Sequence, residues 1–576
     1  MYDIGWGRSA MNLQPRGYAM MGYGMWHHRA WSAQTPLYAR ALCVRDARQH
    51  RTLVWCCLDL GYVSYAMRCG VVNAIRQHLD PLFDDAYLVL TCTHTHSGPG
   101  GCSHDAMYNL VTPGFVSAHL AAVVQAAQDA IVQAWRSAQP ATLGWVETPV
   151  PDTVDVAWNR SVAAYNRNPE VQPRAATQTH LALDRTMRVL GVRRGGRLQA
   201  LLSLFGVHAT CAGNTQPRYC GDNKGYAALA AERALAEGGA DRPVAIFSQG
   251  TAGDVSPYYH GPGDRARRRR IRGEAEYGYA RRNGELQAGA ALDALTSGHE
   301  AALQGGLDAV LTYVDFSCVK VDPRHANGQA DACTGEPCHG VAFFGGTPVD
   351  GPGMPPVLQA LTRFIARCVK AHRLRRLDRY PEPEREYLQR LYAVQGAKDI
   401  LMETGRKRVL GMPFDHLRVP GAIDPVVGEL KRQVARGAIR QSAMVPTVLP
   451  LQIVRLGPLA LVCCPGEFTT IAGQRVVRTV REALREHEVD QVLICTYCND
   501  YMGYVTTREE YDQQAYEGGH TIFGQWTGAA FQTGFEALAR ELAKPAGQRA
   551  HDTATRPEPA PPDELRLRSD LPVPAA

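Results

Sequence analysis

Two histidines separated by one residue have the clearest potential for metal chemistry in this sequence. His94 and His96 lie in the segment Thr93-His94-Thr95-His96-Ser97-Gly98-Pro99-Gly100-Gly101, which follows the apolar run Tyr87–Leu90. On an extended chain, residues two apart share one face at a spacing of ~6.5–7 Å. Both imidazoles could therefore bind one metal ion, or one could bind it while the other serves catalysis. The alternative is that both are surface histidines in a loop, with no role in metal binding or catalysis.

Four further groups of polar side chains also follow short apolar runs. They are His208 after Ala200–Val207, Ser256 after Val244–Phe247, Glu467 after Leu459–Cys463, and the tyrosine- and acid-rich segment 499–519 after Gln491–Cys495. Ligand sites in α/β sheets lie at the carboxyl ends of strands, so we expect these groups to meet. Two histidines, a glutamate and one more oxygen ligand make a tetrahedral zinc set.

Each of these residues also has a purely structural interpretation. A lone histidine at a strand end, such as His208, is usually structural, and a helix N-terminus could stabilise the Glu467 carboxylate. Ser256 could be a nucleophile, an oxyanion donor or part of a simple turn, and no adjacent histidine is visible to activate it. In Gly221–Gly225, the amides and Lys224 could hold a polar substrate group, or Asp222 could simply cap a helix.

The elements that must position these groups alternate between strands and helices. Short continuous apolar runs such as Leu53–Leu58 predict buried strands. Helical stretches are predicted at Phe115–Ala138, Gly225–Glu237, Glu274–Leu303 and Ile471–His487. Alternation of this kind predicts an α/β fold of mixed β-sheets flanked by helices, with the zinc site at strand C-terminal ends.

The chain divides into one long catalytic domain and a short tail. Residues 1–543 are predicted as the catalytic domain, and the Pro- and Ala-rich residues 544–576 as disordered. Residues 322–356, rich in Gly, Pro and Cys, are predicted as a long loop. The basic insertion 258–272 is interpreted as a solvated loop that runs into a helix.

Composition excludes several classes of function. The 576 residues are 45% hydrophobic and 20% charged, and a net charge of +6 is too mild to indicate nucleic-acid binding. No apolar run approaches the ~18 residues of a membrane-spanning helix. The start shows no secretory signal, and sixteen scattered cysteines favour a reducing, cytoplasmic location.

Familiar nucleotide and hydrolase motifs are missing from the sequence. There is no phosphate-binding P-loop, no His-Glu-x-x-His helix and no Gly-x-Ser-x-Gly elbow. Gly5-Trp-Gly7-Arg-Ser-Ala10 matches a dinucleotide fingerprint only loosely. Only four residues precede it, so the strand that this motif requires is short or absent, and the match is discarded.

Several motifs, taken together, resemble the signatures of the neutral, or alkaline non-lysosomal, ceramidases. They occur in the family's order between residues 20 and 535: Met20–Tyr23, His94–Gly101, Asn159–Ser161, Gly221–Tyr226, Gly253–Pro257, Asp350–Gly353, Pro465–Thr470, Gly503–Thr507, Glu509–Tyr511 and Tyr516–Gly518. Motifs of three to eight residues in one fixed order make coincidence very improbable.

The resemblance implies a zinc amidase that splits the N-acyl bond of ceramide into a sphingoid base and a fatty acid. Carried over by position, one Zn²⁺ per chain would be bound by four residues: His94, His208, Glu467 and Tyr504. The scissile amide would face His96, Arg160 and Tyr516, and Ser256 matches a serine treated as essential in some accounts of the family. His96 would then transfer a proton and not bind the metal.

The resemblance also implies a lipid substrate met at a membrane surface or in micelles. Family members often carry a secretion signal and a C-terminal β-sandwich domain, and neither is expected here. Tyr258 stands where the family usually has Asn. These departures leave two alternatives open, which are a zinc hydrolase acting on another N-acyl lipid or amide, and a non-catalytic lipid-binding relative.

Overall fold

The computed structural model describes residues 2–46, 48–112, 114–258, 270–351, 353–417, 421 and 424–569. Its largest element is a mixed nine-stranded sheet. In spatial order the strands are Val244–Ser248, Arg197–Leu204, Thr186–Arg194, Gln139–Pro149, Tyr2–Ala10, Tyr38–Asp46, Arg51–Leu58 and Leu88–Cys92, with Ala301–Leu303 paired beside Gln139–Pro149.

The N-terminal strand Tyr2–Ala10 lies in the middle of this sheet, against helix Ser117–Arg136. Two glycines allow that close approach. A Cβ on Gly5 would lie 2.0 Å from the carbonyl oxygen of Ala134, and one on Gly7 would lie 2.3 Å from that of Ala130. The glycines of the discarded fingerprint are therefore packing residues inside a nine-residue strand, and only Tyr2–Ile4 of that strand precede Gly5, as expected for a preceding strand that is short.

A second, four-stranded sheet supplies the other half of the core. Its order is Leu307–Asp315, Val448–Leu456, Leu459–Cys463 and Gln491–Cys495, and the last two strands run parallel. Helix Thr527–Leu542 packs on this sheet and on helix Thr470–Ala483. One cluster of buried apolar side chains continues from the first sheet into the second, so the two sheets share a core.

The remaining elements surround these sheets. A small sheet joins Cys338–Gly340, Ile400–Glu403, Arg408–Val409 and Met412–Pro413. Within the described ranges, the other helices of four or more residues are Tyr65–His78, Val162–Tyr165, Asp222–Glu237, Glu274–Thr296, Val341–Phe344, Pro356–Arg375, Glu382–Gln395, Pro425–Arg436, Arg508–Asp512, Tyr516–Gly519 and Pro562–Ser569. The prediction of a mixed α/β fold is confirmed.

Two predicted boundaries need correction. The helix predicted over 274–303 ends at Thr296, and Ala301–Leu303 is a strand. The loop predicted over 322–356 contains the strand Cys338–Gly340 and the helix Val341–Phe344. Of the basic insertion 258–272, residues 259–269 lie outside the described residues.

The predicted disordered tail also differs from the structure over residues 544–569. Helix Pro562–Ser569 packs back on the chain, where the Glu564 carboxylate accepts from the backbone amides of Gln441 and Ser442. Arg568 is fully buried and donates to the Ser442 hydroxyl. Residues 570–576 lie outside the described part. Among the described helices, none combines the length and apolar character needed to cross a bilayer.

Candidate metal centre and active site

His94 and His208 each follow a strand of the nine-stranded sheet, and backbone carbonyls hold both rings. Nδ1 of His94 lies 2.6 Å from the carbonyl oxygen of Gly61, and Nδ1 of His208 lies 2.7 Å from that of Ala252. An Nδ1–H donated to a carbonyl leaves Nε2 as the lone-pair nitrogen, which is how proteins orient metal-binding histidines. Both Nε2 atoms are therefore available to a metal.

Glu467 and Tyr504 follow strands of the four-stranded sheet and face each other in a short parallel bridge. Two tyrosines orient the carboxylate. Oε1 of Glu467 accepts from the Tyr501 hydroxyl at 2.5 Å, and Oε2 accepts from the Tyr497 hydroxyl at 3.1 Å. The carboxylate is buried, so these hydrogen bonds offset part of its desolvation cost.

The four side chains converge on one point. Oε2 of Glu467 lies 3.3 Å from Nε2 of His94 and 3.0 Å from Nε2 of His208, and the Tyr504 hydroxyl lies 3.1 Å from that same His208 nitrogen. Ligands at ~2.0–2.1 Å from a tetrahedral ion lie about 3.3 Å from one another. Two imidazoles and a carboxylate suit Zn²⁺, whereas Ca²⁺ and Mg²⁺ prefer oxygen ligands.

Charge within the cluster suits this arrangement. Burial alone would raise the pKa of Glu467, but the adjacent rings of His94 and His208 hold that pKa well below its usual value. Burial, followed by the nearby Glu467 charge, holds the pKa of Tyr504 well above its usual value, so its phenol is protonated. The carboxylate is thus the anionic donor of the set.

His96 lies beside the cluster, and with His94 and His208 it forms a group of imidazoles whose donor atoms lie within 4.8 Å of one another. Its Nε2 is 3.1 Å from Nε2 of His94, while Nδ1 is buried and has no hydrogen-bond partner among the described residues. Burial and these neighbours hold the pKa of His96 well below its usual value, so the ring is neutral.

The His96 ring is confined by two residues of the N-terminal motif. Tyr23 packs edge-on against it at 4.7 Å between centroids. A Cβ on Gly22 would lie 2.3 Å from Cγ of His96. Only glycine therefore leaves room for the ring at this position.

Arg160 is buried and its guanidinium is held by acidic groups. It donates to Glu517 at 2.9 Å and to Asp350 at 3.0 Å, and a further N–H donates to the Tyr504 hydroxyl at 3.0 Å. Its charge is therefore fixed beside the metal-facing phenol. The Tyr516 ring lies edge-on to Tyr504, with centroids 5.3 Å apart.

Ser256 is positioned by a bridge with Trp158, and among the described residues its hydroxyl makes no hydrogen bond to an imidazole. Its hydroxyl donates to Asp350 at 2.7 Å and accepts from the backbone amide of Tyr258 at 3.0 Å. Asp350 in turn holds Arg160. The hydroxyl is thus engaged in a chain of contacts that ends at Tyr504.

The Gly221–Gly225 motif positions His208 and is not exposed to a substrate. The Asp222 carboxylate accepts from the amides of Cys211 and Ala212, and the Asn223 side chain donates to the His208 carbonyl. Lys224 is completely buried and donates to the Phe205 carbonyl at 2.6 Å. The substrate-binding interpretation of this motif is therefore replaced by a structural one.

A cavity of ≈ 1130 Å³ borders the site, because Arg160, Asp350 and Tyr516 are among its lining residues. Met354, Pro355 and Gln359 line it as well. This volume exceeds the ~300–1,000 Å³ of typical small-molecule pockets and suits a large substrate.

Sequence reasoning missed the groups that orient the predicted residues. Tyr497, Tyr501, Asp350 and Glu517 were not assigned roles, although three of them lie in or beside the quoted motifs. A buried carboxylate or guanidinium requires partners, and that requirement was the available signal. His520 was also missed; its ring lies 5.4 Å from that of Tyr504.

A buried cluster of imidazoles and a carboxylate at strand ends of an α/β scaffold is typical of hydrolases that use a bound metal. The family model described as neutral/alkaline non-lysosomal ceramidase, N-terminal, matches residues 2–420 and 432–533. The chain belongs to this family and is a hydrolase of the ceramidase type.

Individual relatives agree with this assignment. The neutral ceramidase of Pseudomonas aeruginosa is 30% identical over 548 residues, which cover 94% of this chain and 72% of that protein. The neutral ceramidase of Mycobacterium tuberculosis is 30% identical over 559 residues, covering 94% and 77%. The crystal structure of the Pseudomonas aeruginosa neutral ceramidase matches with a TM-score of 0.76 and 28% identity, covering 97% of this chain and 76% of that one.

Proposed function

We propose that this protein is a zinc-dependent ceramidase that hydrolyses the N-acyl amide bond of ceramide to a sphingoid base and a fatty acid. The observation that carries the proposal is the convergence of two imidazole Nε2 atoms on Oε2 of Glu467, at 3.3 and 3.0 Å. The ceramidase relatives support the choice of substrate.

One Zn²⁺ per chain would be held by His94, His208 and Glu467, with Tyr504 as a fourth, weaker ligand. When bound, zinc supplies Lewis acidity, which polarises an amide carbonyl and activates water as a nucleophile near neutral pH. Tyr504, whose buried phenol is protonated in the absence of metal, would be a weaker donor than the anionic Glu467. Arg160 keeps the Tyr504 hydroxyl in place through its hydrogen bond.

His96 is the general acid–base in this proposal. Its ring is neutral and confined, and Nδ1 has no protein partner among the described residues, so a nitrogen remains for proton exchange with the reacting groups. It accepts a proton during attack and returns it to the leaving amine nitrogen. The nitrogen then leaves as a neutral amine. Without this proton it would have to leave as an amide anion, which is a very poor leaving group.

Arg160 and Tyr516 stabilise the negative charge that develops on the amide oxygen. Both line the cavity, and the cation is already oriented by Glu517 and Asp350 before substrate binds. Donors fixed in advance need no reorganisation during the reaction. In this scheme Ser256 is a positioning residue that fixes Asp350 and, through it, Arg160.

The test is ceramide turnover by purified protein as prepared, after removal of metal by a chelator, and after restoration with Zn²⁺. We expect fatty acid release that is lost on chelation and restored by one zinc equivalent per chain. Bound zinc without ceramide cleavage would contradict the substrate and favour another N-acyl lipid or amide. Turnover unaffected by complete metal removal would contradict the zinc chemistry.

We also propose a cytoplasmic location, which fractionation of cells would check.

A further inference from the structure

Helix Pro356–Arg375 presents an apolar stripe to solvent. Large hydrophobic side chains cover its outer face: Val357, Leu358, Leu361, Phe364 and Ile365. We call this set the outer stripe. Val357 is 84% exposed and Phe364 65% exposed. Helices of globular proteins normally turn such a stripe toward the core, so the arrangement here is reversed. Clustered apolar exposure of this kind marks an interaction surface.

The opposite face of the helix is anchored by polar contacts. Arg373 is buried and donates to Glu403 at 2.7 Å, and Arg367 pairs with Asp399 at 2.9 and 3.0 Å. Lys370 donates to the Gly396 carbonyl at 2.9 Å. These contacts fix the rotation of the helix about its axis. The outer stripe therefore faces outward, because Lys370 and Arg373 are held on the opposite side of the helix, while Arg367 stays largely exposed at its flank.

Further cations lie on the flank of the helix and at its C-terminal end. Arg363, Arg375, Arg376 and Arg379 form none of the ion pairs found among the described residues, and Arg375, Arg376 and Arg379 are exposed. An apolar helix face accompanied by uncommitted arginines on the same helix and at its end is the pattern of a helix that lies in the interface of an anionic bilayer. A protein groove would require acidic groups at matching points, whereas phosphate headgroups meet such arginines anywhere on the surface.

The helix that carries the outer stripe also borders the cavity beside the active site. Gln359 and Arg363, on the same helix, line that cavity together with Met354 and Pro355 just before it, and Tyr516 also lines it. At ~100° per residue, Gln359 and Arg363 lie on the side of the helix away from the stripe. The cavity is therefore one helix diameter, ~10 Å, from the stripe, and docking of the helix on a membrane would bring it close to the lipid surface.

We propose that the outer stripe docks this protein on an anionic lipid surface and thereby brings the cavity close to the bilayer. The proposal rests on the proposed function, because only a membrane-borne substrate gives this placement its purpose. It assigns to helix Pro356–Arg375 a role in substrate access and not in the chemical step.

The first test measures flotation of the zinc-loaded full chain with ceramide-free vesicles of phosphatidylcholine and phosphatidylserine. The double variant Leu361→Glu/Phe364→Glu is expected to lose at least ~10-fold in vesicle affinity. Leu82→Glu is the matched control, because Leu82 is 91% exposed but lies outside the helix. Unchanged vesicle binding by the double variant would overturn the proposal. A loss of dimers with no change in flotation would also overturn it and assign the stripe to self-association.

The second test separates docking from catalysis. The double variant should hydrolyse a short-chain ceramide dispersed without vesicles at the wild-type rate and should lose activity only on vesicle-borne ceramide. Equal loss on both substrates would overturn the docking role. Arg375→Glu/Arg376→Glu should weaken flotation on anionic vesicles and not on neutral ones, and equal binding to anionic vesicles would count against the proposal. If the wild-type protein floats with vesicles but does not cleave ceramide, the proposed function is contradicted while the docking proposal is still supported.

Discussion

Glu467 and Tyr504 are direct partners in a parallel bridge, with the Glu467 amide donating to the Gly503 carbonyl at 2.8 Å. The two side chains therefore leave neighbouring backbones on the same side and reach the two histidines together. A backbone shift at one of these residues must move the other. The carboxylate and the phenol thus act as a single preformed half of the metal site.

Replacement of the phenol tests how the two ligands differ. In Tyr504→Phe, His94, His208 and Glu467 still supply three donors, so we expect zinc to be retained while kcat falls ~10²-fold through loss of an oriented hydroxyl. Metal content and turnover should be measured on the same preparation. Glu467→Gln is the matched comparison and should lose zinc as well as activity. Complete zinc loss in Tyr504→Phe would show that the phenol is indispensable for binding.

Removal of the His96 ring should separate proton transfer from metal binding. In His96→Ala we expect zinc content near one per chain and a kcat reduced ~10²–10⁴-fold, the usual range for a lost general acid–base. Element analysis and single-turnover kinetics would check this expectation. Zinc loss in parallel with activity would make His96 a ligand, as the spacing of the three imidazoles also permits.

A pair of glycines gives an independent control for the same ring. Gly22 and Gly24 both have positive φ, at 134° and 65°, but a side chain on Gly22 would strike His96 whereas none lies within 4 Å of Gly24. Gly22→Ala should therefore lower kcat strongly, while Gly24→Ala should reduce stability by about 1 kcal/mol with kcat unchanged. Thermal unfolding and turnover distinguish the two effects. Equal kcat in both variants would refute the packing argument.

Loss of the Ser256 hydroxyl distinguishes a positioning residue from a nucleophile. Since the hydroxyl donates to Asp350, we expect Ser256→Ala to reduce kcat only ~10-fold, in line with one lost hydrogen bond. Removal of a covalent nucleophile would instead cost several orders of magnitude. Thr210→Val is a suitable comparison, because Thr210 donates to the same Asp350 oxygen at 3.3 Å. Trapping of an acyl–enzyme on Ser256 would contradict the positioning role.

Buried lysines should give stability a distinctive pH dependence. Burial lowers the pKa of both Lys224 and Lys398 to about 7. In the unfolded chain these amines keep protons up to pH ~10.4, so unfolding takes up protons between pH 7 and that value. The free energy of unfolding should therefore rise with pH across this window through these two groups.

The variant Lys398→Met isolates one of these contributions. In wild type, Lys398 contributes to the rise in the free energy of unfolding between pH 7 and 10. The variant lacks this contribution, so its free energy of unfolding should fall relative to that of wild type as pH rises across this range. Urea unfolding at several pH values would measure this difference. Lys544→Met, at a partly exposed amine near the surface, serves as control and should follow the wild-type curve. Parallel curves for wild type and Lys398→Met would contradict the expectation.

The sequence predicted the buried parallel strands best. Leu459–Cys463 and Gln491–Cys495 have the predicted bounds because both are short runs that are apolar apart from Gln491 at the start of the second. Strand Tyr2–Ala10 was missed because its glycines weaken the strand pattern. Those glycines leave room for the backbone of a helix that is more than a hundred residues away in sequence. Helix Pro562–Ser569 was missed because its packing depends on tertiary contacts of Glu564 and not on local periodicity.

The sequence predicted which side chains would meet at the site, but not the residues that hold those side chains in position. Residues after strand ends were expected to meet, and His94, His208, Glu467 and Tyr504 do meet. The partners of Arg160 were not predictable from spacing, because Asp350 and Glu517 reach it from segments 190 and 357 positions away. Such pairings depend on how the two sheets pack, which no local pattern encodes.

The ligands of the metal site come from two parts of the chain that are synthesised at different times. This separation determines when the complete site can first form. His208 and Tyr504 are 296 positions apart, and the strands that precede them belong to different sheets. At ~5–20 residues per second, a ribosome needs about 15–60 s to make the intervening chain. A nascent chain that already exposes His94 and His208 thus offers an ion only half of its ligands. Metal acquisition must therefore follow the docking of the second sheet, and a chain stalled before Tyr504 would emerge without a complete site.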